Sequence, residues 1–197
     1  MSKRDIVLKR SFDVSISVTG LIVSSIPIII LVIISTISFQ KFGLFSQVRI
    51  GLYGKKFWIY KIRSLEVDND SDSIIVDNDP RINPYGKFLR KTKLDEIPQL
   101  WNVLIGDMSL VGPRPDVSGY ADTLTGEDRL ILNVRPGITG PATLKYKNEE
   151  QLLARYDDPK KFNDEVIWKD KVEINREYVK NWSFKKDLRI LWDTFFS

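Results

Sequence analysis

The sequence predicts an α+β, mostly helical monotopic membrane protein. It has an N-terminal re-entrant membrane helix broken at a proline, a short β-hairpin, and a small domain with amphipathic interfacial helices. Three observations predict this. Residues 14–40 form an uncharged run of 27 residues dominated by Ile, Val, Leu and Phe. Residues 44–64 alternate apolar positions around Gly51 and Gly54. Beyond residue 92 apolar residues recur at helical spacing, in segments rich in charge. The chain divides accordingly into residues 1–42, the membrane segment, and residues 43–197, a cytoplasmic-face domain.

As one helix the uncharged run would be roughly 40 Å long, more than a hydrocarbon core of about 30 Å requires. It is too long for a signal peptide and has no small-residue cleavage site. Pro27 falls near its middle, after Ser24 and Ser25, where serine hydroxyls can bridge freed backbone groups. Lys3, Arg4, Lys9 and Arg10 precede the run; Lys41, Arg49, Lys55, Lys56, Lys61 and Arg63 follow it before any acid appears at Glu66. The positive-inside bias pulls both flanks to the cytoplasm. A helix broken around Ser25 and Pro27 that enters and leaves one leaflet satisfies both; a spanning helix leaves one basic flank outside.

Val48, Ile50 and Leu52, then Phe57, Ile59 and Tyr60, read as the two strands of the hairpin. The acidic stretch 66–79 begins like a calcium loop at Asp68, but Ser73 stands where such a loop turns on Gly, and Asp79 replaces its bidentate Glu. A solvated loop is the better reading. Residues 85–91 lead, basic, into a short helix opened by Asp95 and Glu96, with Pro98 just inside it. Leu94, Ile97, Leu100, Trp101 and Leu104 are its expected packed face. A stiff turn, Gly112-Pro113-Arg114-Pro115, comes next. Further helices are expected over 119–133, 148–156 and 160–182. Ser183 caps a last one, with Phe184, Leu188, Leu191 and Phe195 on one face. That face would pack on the core or lie on anionic lipid.

The 197 residues suffice for one modest core, and they include no cysteine and no histidine. Ser-His and Cys-His pairs, cysteine redox chemistry and the usual zinc sites are thereby excluded. Acid–base or covalent chemistry must come from carboxylate, lysine, tyrosine or an activated hydroxyl. The net charge of +4 is too mild, beside an uncharged membrane segment and an acidic loop, to point to nucleic acid. Adjacent carboxylates at a helix start, with a guanidinium held between two prolines, suit a phosphate-bearing substrate. Taken singly, each has a plain structural reading as a dipole feature or an ion pair.

The segment TKLDEIPQLWNVLIGDMSLVGPRP, residues 92–115, resembles the signature of the bacterial sugar transferases. These are the monotopic phosphoglycosyl transferases of glycoconjugate, exopolysaccharide and lipopolysaccharide assembly. Further matching blocks are KRSFD at 9–13, DPRI at 79–82, RPGITG at 135–140, INREY at 174–178 and SFKKD at 183–187. The resemblance implies an enzyme that transfers a sugar-1-phosphate from a UDP-sugar to polyprenol (undecaprenyl) phosphate, releasing UMP. It implies Asp95 as nucleophile, forming a covalent phosphosugar intermediate, and Glu96 as organiser of the metal or helper of the acceptor. Both reactants are anions, so a cation is needed; Mg2+ on Asp95 with phosphate oxygens and water suits it. Arg114 is the expected phosphate ligand, with Lys61, Arg63 and Arg90 as further candidates and Arg135 bordering the nucleotide-sugar pocket. A carboxylate near a helix N-terminus is expected to stay ionised.

The implied partners are the UDP-sugar, the polyprenol phosphate and the lipid bilayer, with a homodimer or other glycan-pathway enzymes as further ones. The implied location is the cytoplasmic face of the bacterial inner membrane. Two departures stand out. Lys93 replaces the serine common before Leu-Asp-Glu, which moves the expected cap to Thr92. Residues 141–146 read PATLKY rather than a Trp-Ala-Gln form, which bears on sugar choice. Without the extra N-terminal spans of larger relatives, the chain resembles a minimal version. The rival readings are direct transfer through a ternary complex and an inactive membrane scaffold of a glycan assembly complex.

Overall fold

In the computed structural model the described residues are 2–66, 75–77 and 79–196. Most of the acidic stretch, including the loop that begins at Asp68, lies outside them. Helix α1 (Lys3–Phe39) opens on a capping box between Ser2 and Asp5. It continues through Pro27, which corrects the expected break there. Proline removes one N–H and strips the Val23 carbonyl of its ladder donor. Ser24 and Ser25 donate instead to Gly20 O (2.6 Å) and Ile22 O (2.8 Å), short of that gap. Losing one backbone bond costs less in apolar surroundings than opening a whole turn, so the helix persists.

Strands β1 (Leu44–Ile50) and β2 (Lys56–Ile62) form the predicted antiparallel hairpin, joined through a 3-10 turn at Leu52–Gly54. Helix α2 (Pro84–Thr92) comes next, ending on Lys93 in the left-handed region. Thr92 is therefore the end of α2 rather than the cap of the Asp95 segment; its hydroxyl donates back to Phe88 and Leu89 carbonyls. Asp95 and Glu96 lie in a 3-10 turn, Leu94–Glu96, and α3 (Gln99–Ile105) begins only after Pro98.

Of the apolar face expected here Leu100 packs on the core and Leu94, Ile97 and Leu104 are partly buried, but Trp101 is not inward. Asp95, Gln99, Asn102 and Val103 are buried, whereas Trp101 and Ile105 are about half exposed. The inward face meets α1 and β2, where backbone groups need polar partners; the outward face has no protein to cover it.

Strand β3 (Ser109–Val111) pairs in parallel with β4 (Gly137–Thr139), a pairing that periodicity does not announce in strands this short. It brings the Gly-Pro-Arg-Pro turn against Arg135-Pro136-Gly137. A Cβ on Gly137 would lie 2.1 Å from Gly112 N, so the two backbones touch. The helix expected over 119–133 is instead two 3-10 segments, Ala121–Thr123 and Gly126–Asn133, separated by Gly126 at φ 58°. Then come α4 (Pro141–Lys145), α5 (Glu149–Leu153) and α6 (Pro159–Phe162). A π-helical turn at Asn163–Ile167 leads into α7 (Trp168–Lys180), and α8 (Phe184–Phe196) ends the chain. Helix α8 divides its apolar residues between two sides. Phe184, Ile190 and Leu191 pack inward, while Leu188, Trp192, Phe195 and Phe196 are exposed.

The main core joins Ile59 of β2, Val103 of α3, Met108, Leu110 and Val111 around β3, Tyr178 of α7 and Ile190 of α8. A second cluster gathers Ile50, Ala121, Ile131, Leu132 and Val172. The N-terminal part of α1 is fastened to the main core by charge. Lys9 Nζ, 8% exposed as a residue, donates to Val111 O at 2.9 Å and to Asp187 Oδ2 at 2.5 Å. Asp187 also accepts from Tyr178 OH (2.6 Å) and Trp182 Nε1 (3.0 Å). Asp13 accepts from Leu110 N at 3.1 Å. Residues 1–42 and the remainder thus share one packed interface.

Removing one partner of a buried ion pair leaves the other charge uncompensated. Lys9→Ala is expected to cost about 3–5 kcal/mol in chemical denaturation in detergent. The exposed Lys185→Ala should stay within about 0.5 kcal/mol; equal effects would show that the Lys9–Asp187 pair fastens nothing.

Candidate active site

The site forms where β2, the 3-10 turn before α3 and the turn after β3 converge. Asn102 sets the first two against each other. Its Nδ2 donates to Trp58 O at 2.7 Å and its Oδ1 accepts from Tyr60 N at 3.1 Å. The free edge of β2 is thereby satisfied by one side chain of α3, and Lys61 is presented to Glu96. At the other end of β2, Gly86 of α2 lies so close to Ser64 that an added Cβ would sit 2.1 Å from its carbonyl oxygen. That contact holds Ser64 over Asp95.

The two adjacent carboxylates have unlike surroundings. Glu96 Oε1 receives Lys61 Nζ at 3.1 Å and Arg114 at 2.5 Å. Burial alone would raise its pKa; Arg114 and Lys61 outweigh this and hold Glu96 well below the usual carboxylate range. Asp95 is 4% exposed, with only Ser64 Oγ near Oδ2 at 3.4 Å, and its Oδ1 is buried without a hydrogen-bond partner. Burial pushes the Asp95 pKa up, opposed by Lys61 and reinforced by Glu96. The lowering expected from a helix N-terminus is absent: the turn is 3-10, the helix starts later, and desolvation sets the direction of the shift.

Further charges surround this pair. Arg114 reaches in from the rim, its side chain 41% exposed, and glutamate contact raises its already high pKa. Arg49, at the end of β1, is held by Gln47 Oε1 at 2.7 Å. Burial, then the nearby Arg114 charge, lower its pKa to about 10. Asp116 lies within charge reach of Lys171, Arg49 and Arg114, and burial pushes it up to about 6. Glu149 binds Lys171 through both oxygens at 2.7 Å. Arg49, Asp116 and Ser64 were not among the expected residues. Nothing in a one-dimensional pattern separates Arg49 from the other cations of the hairpin.

Lys61 and Arg114 join Asp95 and Glu96; the remaining expected residues are placed elsewhere or otherwise engaged. Arg90 pairs with Glu150, although its charge still acts on Asp95. Arg63 donates to Phe42 O at 3.0 Å and lies over the Phe45 ring. Arg135 donates to Gly106 O at 2.7 Å, beside Arg10, which donates to Val103 and Leu104 carbonyls. Both guanidiniums thus cap the C-terminal end of α3. Asp79 is turned onto Arg81 through both oxygens. Ser25 and Pro27 lie mid-α1, far along the chain from these contacts. Among the described residues no three acidic side chains converge. The unpartnered Oδ1 of Asp95 suits Mg2+, which uses one or two carboxylates and completes its shell with phosphate and water.

The chain resembles known proteins along most of its length. The chain is 36% identical over 185 residues to the uncharacterized sugar transferase EpsL of Bacillus subtilis, covering 94% of this chain and 84% of that protein. It is 34% identical over 204 residues to an undecaprenyl-phosphate galactose phosphotransferase of Salmonella typhimurium, covering 95% of this chain. It is 36% identical over 200 residues to a UDP-glucose:undecaprenyl-phosphate glucose-1-phosphate transferase of Klebsiella pneumoniae, covering 98% of it. The chain spans only 39% and 40% of these last two proteins. The family described as bacterial sugar transferase matches residues 4–197, and the chain belongs to that family.

Proposed function

We propose that this chain is a phosphoglycosyl transferase that moves a sugar-1-phosphate from a UDP-sugar to undecaprenyl phosphate at a membrane surface, releasing UMP. The observation that carries the reading is Asp95, a buried carboxylate with one oxygen free, next to a carboxylate already committed to two cations. The names of two partly matched relatives support the same acceptor, and that of the relative matched over 84% of its length supports a sugar transferase.

In the proposed route an Asp95 oxygen attacks the sugar-bearing phosphorus. The bond from that phosphorus to the bridging oxygen breaks, and UMP leaves with the electron pair. A phosphate oxygen of undecaprenyl phosphate then attacks the same phosphorus. The bond to Asp95 breaks, restoring the carboxylate and leaving the sugar on a polyprenyl diphosphate. Two displacements replace one difficult encounter between anions. Glu96 acts as a positioning residue, keeping Lys61 and Arg114 where negative charge gathers on the transferred group. Asp95 would hold Mg2+, which when bound neutralises the diphosphate charge.

The membrane reading rests on α1. Gly20 lies against Leu100 of α3, and the Leu31 carbonyl accepts from Tyr85 OH of α2 at 2.7 Å. About ten residues, roughly 15 Å of helix, lie between these two contacts. A hydrocarbon core of about 30 Å is twice that. Ile22, Val23, Ile26 and Ile29 are exposed there, and Phe88, Trp101, Trp192 and Phe195 are exposed on the domain. These features support both ends of α1 lying on one side of the bilayer, with the domain at the cytoplasmic face of the inner membrane.

Three measurements test this reading. Purified protein with Mg2+ and undecaprenyl phosphate should release UMP from one member of a UDP-sugar panel. Asp95→Asn should lower that rate at least roughly 10^3-fold and abolish a phosphosugar adduct detectable by peptide mass spectrometry; Glu96→Gln should lower kcat/KM roughly 10^2-fold. Near-normal release by Asp95→Asn would sink the covalent route. Second, Asp95 must be deprotonated to attack and its pKa is raised. The rate should therefore fall as pH drops through a limb above the ordinary carboxylate value of about 4. Asp116 titrates at about 6; if Asp116→Asn removes the limb, it does not belong to Asp95. Third, the cysteine-free chain allows Ser2→Cys and Phe42→Cys to be probed with an impermeant maleimide. Both should react from the same side of sealed vesicles; reaction from opposite sides would establish a spanning helix.

A further inference from the structure

Arg49 is an incompletely satisfied cation at the rim of the site. Its Nη2 donates to Gln47 Oε1 at 2.7 Å, while Nη1 reaches Pro115 O only at 3.5 Å. Its Nε is buried and has no hydrogen-bond partner. Among the described residues no carboxylate forms an ion pair with it, although Asp116 and Glu96 act on it from farther away. A guanidinium left in this condition, in a folded chain, has donors set aside for something else.

A second guanidinium faces the same region. Arg114 spends one nitrogen on Glu96 and keeps the rest of its fork at the rim. Its charge works against that of Arg49, and Asp116, which favours the Arg49 charge, has its own pKa pushed up by burial to about 6. The two arginines cannot drift apart to relieve this. Ile50 N donates to Asp116 O at 2.9 Å, tying the end of β1 to the turn that carries Arg114. Ile50, Gly51, Pro113, Arg114 and Asp116 line one small cavity between these segments. Two like charges held together by backbone bonds, with unpaired donors, call for an anion with several oxygens.

We infer that Arg49 is a further ligand-binding residue of this site, forming with Arg114 a two-guanidinium clamp for the diphosphate of the donor and for the nucleotide phosphate that leaves. The inference rests on the transferase reading for the identity of the ligand, but the clamp itself requires only a phosphate. Arg49 contributes binding and orientation, and the transferred phosphorus remains with Asp95, Lys61 and Arg114.

Calorimetry on the full chain in detergent, with UMP and separately with inorganic pyrophosphate, tests this. Arg49→Gln should weaken both at least about tenfold and raise the donor KM more than it lowers kcat. Arg49→Lys, which keeps the charge but loses the fork, should fall between. A thermal midpoint equal to wild type establishes that each variant is folded, and if Arg49→Gln is not, Arg49→Lys decides. Affinities within twofold of wild type in a folded variant overturn the clamp. If wild type releases UMP while the variants bind unchanged, the clamp fails and the transferase reading stands. If pyrophosphate binding depends on Arg49 but no UDP-sugar is turned over, the clamp stands and the transferase reading fails.

Discussion

The side-chain amide of Asn102 is the constraint on which the rest of the site depends. It completes two backbone hydrogen bonds of β2 that no third strand supplies, while the main-chain carbonyl of the same residue accepts from the N–H groups of Gly106, Asp107 and Met108. The first contact fixes where Lys61 stands relative to Glu96. The second ends α3 and turns the chain into β3, hence into the turn that carries Arg114. The buried side chain and the main-chain carbonyl of one residue, Asn102, therefore align three elements between them. A buried apolar residue of similar size would fill the space and leave the β2 edge unpaired.

This explains why α3 is turned the opposite way from an ordinary surface helix. Its inner face carries Gln99 and Asn102, continuing from Asp95 in the turn before it, because the neighbours there are strand backbone and the cations of the site. Its outer face carries Trp101 and Ile105, exposed together with apolar residues of α1, α2 and α8. In water this arrangement would be costly; against lipid it is the favourable one. The polar interior and the apolar exterior both fit the proposed reading of a domain that rests on a membrane and works on anions there.

Asp95 and Glu96 are chemically near-identical neighbours that tertiary surroundings drive apart. Glu96 is ionised and fully occupied by Lys61 and Arg114, whereas Asp95 is desolvated and has an oxygen unpartnered. Such separation suits a division between a reacting carboxylate and one that holds cations in place. The same logic places Arg135 outside this cluster: its guanidinium is spent on the end of α3, next to Arg10, and contributes through the position of that helix.

The apolar run, the hairpin, the carboxylate pair and the Arg114 turn were legible because each is written in neighbouring residues: hydropathy, alternation, or a motif with its spacing. The helical period of residues 94–104 was equally visible, but not which side of it faced inward. That depends on what packs against it, and periodicity is silent on whether apolar residues meet protein or lipid. Residues 119–133 misled for a local reason, since Gly126 in the left-handed region and 3-10 geometry interrupt an apparently helical stretch. The sequence by itself determined the family, the membrane segment and the chemical types available for catalysis, because composition and contiguous motifs carry that information. Only the tertiary structure decided that Arg49 joins Arg114, that Arg63 and Arg135 serve elsewhere, and that Asp95 is the desolvated partner. Those outcomes depend on contacts between residues tens of positions apart, where burial and neighbouring charge outweigh intrinsic preference.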